Sequence, residues 1–303
     1  MTNITLSHKI CLDPSYKREQ HFKQACGIAR FTWNWALEEW KRQYEAGTNP
    51  NAFKLKKQLN AIKPTEFPWM YKVTKYASQQ PFIHLQTAGM RFFQGTSHYP
   101  QFKKKGIHDS FYIGNDQIKI EGKQIKLPKL GWIRMRESLR FPGKIISATC
   151  VANKWFISLN VELDQAAKSC DSQASVGIDD IGVNTLATLS NGNTFEAPKP
   201  LKKFLKKLKR MQRSLSRRVK GSHNRQKLRQ KIASAHAKIT NIRQDSLHKL
   251  TSYLTNSFGG IVIEDLNVKG MLKNQKLYRA IADLGFYEFR RQLEYKSQLK
   301  NNY

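Results

Sequence analysis

The hydrophobic period of this 303-residue chain changes twice, and those two changes restrict its fold more than any other feature. Residues 2–12 alternate weakly, as one short strand would. From about Pro14 to Thr96 apolar residues return at spacings of three and four. Phe22, Ala25, Ala29, Trp33, Leu37 and Trp40 fall on one face of a helix that ends at Gly47. A second helix is predicted from Phe53 to Ile62, then a turn over KPTEFPWM, then a third helical region broken or kinked near Pro81. Near residue 100 the period falls to two. FYIGNDQIKIEGKQIKLPKLGWIRMR alternates apolar with polar and basic residues, with turns at Gly114-Asn115 and Glu121-Gly122-Lys123. KIISATCVANKWFISLNVEL adds two more strands joined through Ala152-Asn153-Lys154. The expected first domain, residues 1–165, is therefore a small antiparallel sheet or barrel with a helical insertion over about 15–97.

Residues 166–174 are polar and without period, and are the expected linker. The second change of period follows it. Two strands, SVGIDDIG and TLATLSN, precede a long helical hairpin over about 200–254 that turns at Gly221-Ser222. Leu201, Phe204, Leu205, Leu208, Met211 and Leu215 line one face of its first helix. Leu228, Ile232, Ala235, Ile239 and Ile242 line the returning one. FGGIVIEDLNV, a continuous apolar run behind two glycines, reads as a strand buried on both faces. A last helix carries Phe286, Phe289 and Leu293 on one side. Residues 175–303 form the expected second domain, of α/β type, so that the whole is an α+β multi-domain chain.

Charge narrows the partners. The chain has 53 Lys+Arg against 22 Asp+Glu, a formal net charge of +31. Self-repulsion on that scale is relieved by a polyanion, and nucleic acid is the common one. Between Lys199 and Lys249 there are 18 Lys or Arg and one acid, Asp245. One sign over two helices points to a phosphate-binding surface, where a merely solvated face mixes signs. The candidate contacts there are Lys202, Lys203, Lys206, Lys207, Arg210, Arg213, Arg217, Arg218 and Arg225. The cluster QFKKKG adds Lys103, Lys104 and Lys105. Trp33, Trp35, Tyr99, Phe102, Tyr112 and Trp132 stand among basic residues, as base-stacking rings do, although Trp33 lies on the apolar face of its helix and is expected in the core. Cys11, Cys26, Cys150 and Cys170 form no C-x-x-C pair and are expected as buried free thiols. With no signal-peptide pattern and no apolar run of membrane-spanning length, a cytoplasmic protein is expected, without a membrane partner.

Chemistry is expected at strand ends. SVGIDD and IVIED each finish an apolar strand with carboxylates: Asp179 and Asp180 on one, Glu264 on the other. Such groups side by side bind Mg²⁺ and support phosphodiester hydrolysis. Strand alternation places Asp180 with Val176 and Ile178, and Asp179 with Gly177 and Ile181. Only one aspartate then faces the metal, unless a bulge realigns the strand.

These stretches, together with GIARFTWNWALE, EFPWM, FPGKIISATCVANKWFISLNVE, GVNTLATLSNG and FYEFRRQLEYK, resemble the TnpB (OrfB-like) proteins of insertion sequences, relatives of the type V CRISPR effectors, over nearly the whole chain. The resemblance implies an RNA-guided DNA endonuclease. It would have a wedge β-barrel with an inserted helical recognition part, then a RuvC nuclease domain of RNase H fold. Its partners would be guide RNA from its own locus and a double-stranded DNA target, and its cofactor Mg²⁺. Glu264 takes the place of the family's glutamate. The family's V-G-I-D-x-G selects Asp179 when matched from the left and Asp180 from the right, because this sequence has one residue more. In the family a further strand, a zinc ribbon of two C-x-x-C pairs and a third aspartate in a D-x-N-A-A-type stretch follow the last helix. This sequence shows none before Tyr303. The resemblance therefore implies a C-terminally truncated chain with an incomplete RuvC-like domain, no zinc and impaired cleavage. Two alternatives stand beside it: a nuclease-inactive, repressor-like RNA-guided binder, and an active enzyme with a substitute third carboxylate. Asp283 is such a substitute in principle, but is read as a surface or helix-packing residue.

Overall fold

The computed structural model describes residues 4–107, 109–141, 143–151, 155–163, 174–180, 185–274 and 278–300; for Ile4, Ser147, Val151, Asp179, Asp180 and Lys269 it describes the backbone alone. Most of the expected linker, Cys170 and the turns at 152–154 and 182–184 lie outside the described residues. The chain divides into two compact units, residues 1–166 and 167–303.

The first unit opens with strand β1 (Ile4–Asp13) and helix α1 (Tyr16–Glu45). α1 buries Phe22, Ala25, Ala29, Trp33 and Leu37, the face its period predicts. Phe22 meets Phe111 and Trp155, which puts this face on the sheet. Helices α2 (Ala52–Glu66) and α3 (Lys75–Phe93) follow, separated by a 3₁₀ turn over Pro68–Lys72. α3 runs through Pro81 as one continuous helix, so the expected break does not occur there. Proline removes one hydrogen bond there, but Pro81 is itself buried with Phe82 and Leu85, and that packing holds the helix on both sides of it.

Strands β2 (Ser110–Gly114), β3 (Lys119–Glu121), β4 (Gln124–Leu127), β5 (Gly131–Met135), β6 (Lys144–Val151) and β7 (Phe156–Leu163) complete an antiparallel sheet in the order β2-β6-β7-β1-β5-β4-β3. β1 is long enough to serve two neighbours. Its residues Ile4–Cys11 pair with β7, and Leu12 and Asp13 pair with β5. β2 and β3 stand at the two ends of the order, with no ladder between them among the described residues. The described residues thus show the antiparallel sheet of the expected sheet or barrel, and no ladder among them closes it. Cys26 and Cys150 are buried free thiols, and burial pushes the Cys26 thiol up to about 12.

The second unit has a four-stranded sheet in the order β10-β9-β8-β11, built from β8 (Ser175–Asp180), β9 (Thr185–Leu189), β10 (Thr194–Glu196) and β11 (Gly260–Ile263). β10 had no signal of its own, since three residues are too few to show alternation. Helices α4 (Pro200–Ser216) and α5 (His223–Ser257) form the basic hairpin between β10 and β11. A single turn, α6 (Val268–Met271), leads on to α7 (Tyr278–Leu284) and α8 (Phe286–Lys300). The core joins Val176, Ile178, Ala187 and Leu189 of the sheet to Leu250 and Leu254 of α5 and Phe289 and Leu293 of α8.

The reading of β11 as buried on both faces is overturned. Among the described residues β11 is an edge strand, and Val262 is 66% exposed. An apolar run behind glycines looks the same at a sheet's centre and at its edge, because only long-range pairing decides which it becomes. No described helix is long and apolar enough to cross a membrane.

α8 is tied to α5 by polar as well as apolar contacts. Buried Thr251 donates to the Leu247 carbonyl and meets Gln292 Oε1 at 3.0 Å, and Gln292 donates to Glu288. Arg291 grips Glu288 with two hydrogen bonds of 2.8 Å and, with Gln292, holds its carboxyl down to about 2. A depressed carboxylate stabilises the fold fully above its unfolded pKa, near 4.5, and loses that contribution as pH falls toward 2. Glu288→Gln is therefore expected to cost about 1–2 kcal/mol at pH 6, after allowance for solvent screening, and almost nothing at pH 2. Urea titrations of both proteins at pH 6, 4 and 2.5 check this. Curves separated by the same interval at all three pH values would refute it.

Candidate nuclease site and nucleic-acid interface

β8 and β11 run parallel, with Ile261 beside Val176 and Ile263 beside Ile178. Parallel neighbours end at the same edge of a sheet, where open α/β sheets hold their ligands. Glu264 is one residue beyond Ile263, and Asp179 one beyond Ile178, so the carboxylate-bearing ends of both strands meet at that edge.

The pairing of β8 with β9 contains the bulge on which the choice of aspartate turned. Ile178 pairs with Leu189 and Asp180 with Thr188, so β8 spends two residues where β9 spends one, and Asp179 is the extra one. The side chains of Asp179 and Asp180 lie outside the described residues. Among the side chains that are described, no three His, Cys, Asp or Glu converge as a metal cage.

Glu264 is exposed and makes no side-chain hydrogen bond or ion pair among the described residues. Its neighbour Asp265 is engaged instead, 2.6 Å from Arg290, whose Nε is 2.9 Å from Glu294. A cleft of about 330 Å³ opens at Glu264 over Leu266, Val268 and Phe289, with Tyr287 and Arg290 on its rim. Nothing in the period of α8 distinguished Tyr287, because an outward aromatic on an amphipathic helix has no signature of its own. Asp283, the possible substitute carboxylate, is buried. Its Oδ1 accepts from Arg243 at 2.7 Å and its Oδ2 from the Leu201 N–H at 2.9 Å. Both oxygens serve helix packing, as that reading of the sequence had it.

The basic residues of the hairpin sort by what they touch. Lys206, Lys209, Arg210, Arg213, Arg217 and Arg218 line one depression along α4 and just beyond it. Lys209 joins the other five by helical spacing, since 206, 209/210, 213 and 217 recur every three or four residues. Lys202, Lys203 and Lys207 are exposed. None of these cations forms an ion pair with an acid among the described residues. Arg218 also donates to the Asn224 carbonyl at 2.7 Å. Arg225 is half-buried and donates to the Leu215 and Arg218 carbonyls, closing the turn between α4 and α5.

In the first unit Lys103, Lys104 and Lys105 lie on an exposed segment. The Lys103 nitrogen sits 4.2 Å from the centre of the Trp33 ring, and burial of that ammonium lowers its pKa. Trp33 is buried, as expected for a core residue, and Trp35 packs edge-on against Phe82. Tyr99 and Phe102 are exposed. Tyr112 and Trp132 are half-buried, Tyr112 edge-on to Tyr76.

Comparison with known proteins places the chain. A family of helix-turn-helix domains, HTH_OrfB_IS605, matches residues 1–49, here a strand and one long helix. The OrfB_IS605 family, described as "Probable transposase", matches residues 158–275. A protein of Escherichia coli (strain K12) named "Putative RNA-guided DNA endonuclease InsQ" is 37% identical over 310 residues, covering 95% of this chain and 76% of that protein. A Streptomyces pristinaespiralis protein named "Putative RNA-guided DNA endonuclease" is 33% identical, covering 98% of this chain and 75% of its own length. A solved CRISPR-Cas12f ternary complex aligns over 95% of this chain and 71% of that one, at 12% identity and a TM-score of 0.36, too loose a likeness to argue from. With both family matches and a 37% identical relative aligned over three quarters of its length, this chain belongs to the OrfB_IS605 family of insertion-sequence transposase proteins.

Proposed function

We propose that this protein binds an RNA guide and a DNA target, and that Glu264 with Asp179 or Asp180 forms a Mg²⁺-dependent site for phosphodiester hydrolysis. The observation that carries the reading is the parallel register of β8 and β11, which brings their carboxylate ends to one sheet edge. The named activity of the relatives supports it. On this reading the second unit is a RuvC-like domain, and the first a wedge with inserted recognition helices.

The donor set suits the metal. Mg²⁺ takes hard oxygen ligands, commonly one or two carboxylates completed by water and substrate phosphate. When bound, it supplies charge for the developing phosphorane and a more acidic water. Glu264 offers an exposed carboxylate for this, while Arg290 keeps Asp265 occupied beside it. The bulge leaves both aspartates at the same strand end, and Asp179→Ala and Asp180→Ala tested side by side identify the ligand.

The basic depression on α4 supplies phosphate contacts. RNA affinity is expected to fall steeply with salt, as released counterions require. Replacing Lys206, Arg210 and Arg213 together by Gln is expected to reduce the slope of log K against log salt by about 2. Filter binding of the flanking RNA from about 50 to 300 mM KCl measures this. A wild-type affinity that stays flat across that range would sink the reading.

A further inference from the structure

Between Glu66 and Asp109 the chain carries no Asp or Glu, yet it carries Lys72, Lys75, Arg91, Lys103, Lys104 and Lys105. In the same stretch several large aromatic side chains are left in water. At the end of α3, Phe93 is 64% exposed and Phe92 is partly exposed, and in the segment that follows Tyr99 is partly exposed and Phe102 is 49% exposed. Rings in water forgo burial that other phenylalanines of this chain obtain, so a cluster of them marks a contact surface.

The rings are held in place. Phe92 sits edge-to-face with both Phe93 and Tyr99, at centroid distances of 5.4 and 5.3 Å, so the three fix one another's orientation. Phe102 is clamped through its backbone neighbours. Trp33 Nε1 donates to the Gln101 carbonyl at 3.0 Å, and the Asn34 amide both accepts from the Lys103 N–H at 2.8 Å and donates to the Lys103 carbonyl at 3.0 Å. An exposed ring is thus carried on a segment tied to α1 on either side of it.

We infer that Phe92, Phe93, Tyr99 and Phe102, with Arg91, Lys104 and Lys105, form a stacking platform for unpaired bases of an RNA. This rests on the proposed RNA binding and gives it a surface that the basic hairpin does not supply. Rigid exposed π faces beside cations, with no acid among them, match the alternation of base and phosphate along a single strand. Duplex DNA offers no free base faces without melting, whereas RNA loops and tails do. The cations argue against a protein occupant, because interface cores are depleted in lysine.

The test uses the full chain and two RNA probes, a hairpin alone and the same hairpin with a single-stranded tail carrying 2-aminopurine. Wild type is expected to bind the tailed probe more tightly and to quench its fluorescence. Phe93→Ala and Phe102→Ala are expected each to weaken tail-dependent binding about 10-fold with the salt slope unchanged. Phe102→Leu, as apolar but without a π face, is expected to behave like the alanine variant, and Phe102→Trp to restore binding. The sites are exposed, so melting temperatures should stay close to wild type, and that comparison excludes misfolding. If the hairpin binds but the tail adds nothing, or Phe102→Leu matches wild type, the platform is wrong while RNA binding stands. A DNA tail preferred over the RNA tail would overturn the choice of RNA. Variants that break a dimer into monomers with unchanged RNA affinity would make the surface an interface between copies. A wild type that binds neither probe overturns both readings.

Discussion

Alanine at Asp283 is expected to destabilise the second unit by about 3 kcal/mol, the low end for breaking a buried ion pair. One carboxylate joins three helices here. Asp283 belongs to α7, accepts from Arg243 of α5, and caps the first turn of α4 through the Leu201 N–H. α4 needs such a partner, because its first turn holds no acidic residue and Lys199, at its N-cap, makes no side-chain cap. The Arg243 Nε is already buried with no hydrogen-bond partner among the described residues. Losing the carboxylate would strand the rest of the guanidinium, and an uncompensated charge is the costly part of a broken pair. Arg243 keeps about a quarter of its side chain in water, which holds the estimate at the low end. Asp283→Asn retains an acceptor for Leu201 and should lose roughly half as much. Urea unfolding followed by circular dichroism gives both numbers. A midpoint unmoved by Asp283→Ala would mean that the contacts to α4 and α5 are not coupled to folding.

That residue also marks where sequence reasoning ran out. The helix faces were legible because burial repeats with the backbone: Phe22 to Leu37 on α1, Leu228 to Ile239 on α5, and Phe286 to Leu293 on α8 are all apolar at helical spacing. The hairpin of like charge was legible for the same reason. What remained hidden depends on residues far apart in sequence. The edge position of β11, the three-helix role of Asp283 and the clamp of Asn34 on Lys103 each join segments 40 or more residues apart. Arg225 shows the same limit locally. It counts as one more cation in the sequence, but in the fold it donates to two carbonyls of the turn. The site was half legible. Carboxylates at strand ends are visible in SVGIDD and IVIED, but that the strands are neighbours and parallel, and that a bulge falls at Asp179, are facts of pairing.

Glu264→Gln is expected to reduce Mg²⁺-dependent cutting of a matched DNA target at least 1,000-fold, roughly the loss that follows when a group acting mainly in the transition state is removed. The amide keeps the size and one oxygen of the side chain but not its charge, and Mg²⁺ is held by charged oxygen. Glu264 is exposed and carries no ion pair among the described residues, so the substitution should leave stability within about 0.5 kcal/mol. RNA affinity and its salt slope should also be unchanged, since those belong to cations elsewhere in the chain. Three measurements on one pair of proteins separate the possibilities: cleavage of the matched target, filter binding of the RNA, and the Mg²⁺-dependent shift in melting temperature. Loss of cutting and of the Mg²⁺ shift with RNA binding intact places the metal at the β8–β11 edge. Equal cutting by both proteins would remove Glu264 from the chemistry and require that edge to be assigned another role. Guided DNA binding by wild type without any cutting would make the protein a binder whose paired strand ends keep their carboxylates without using them. In that case Asp179→Ala and Asp180→Ala should be as silent as Glu264→Gln in every assay of binding.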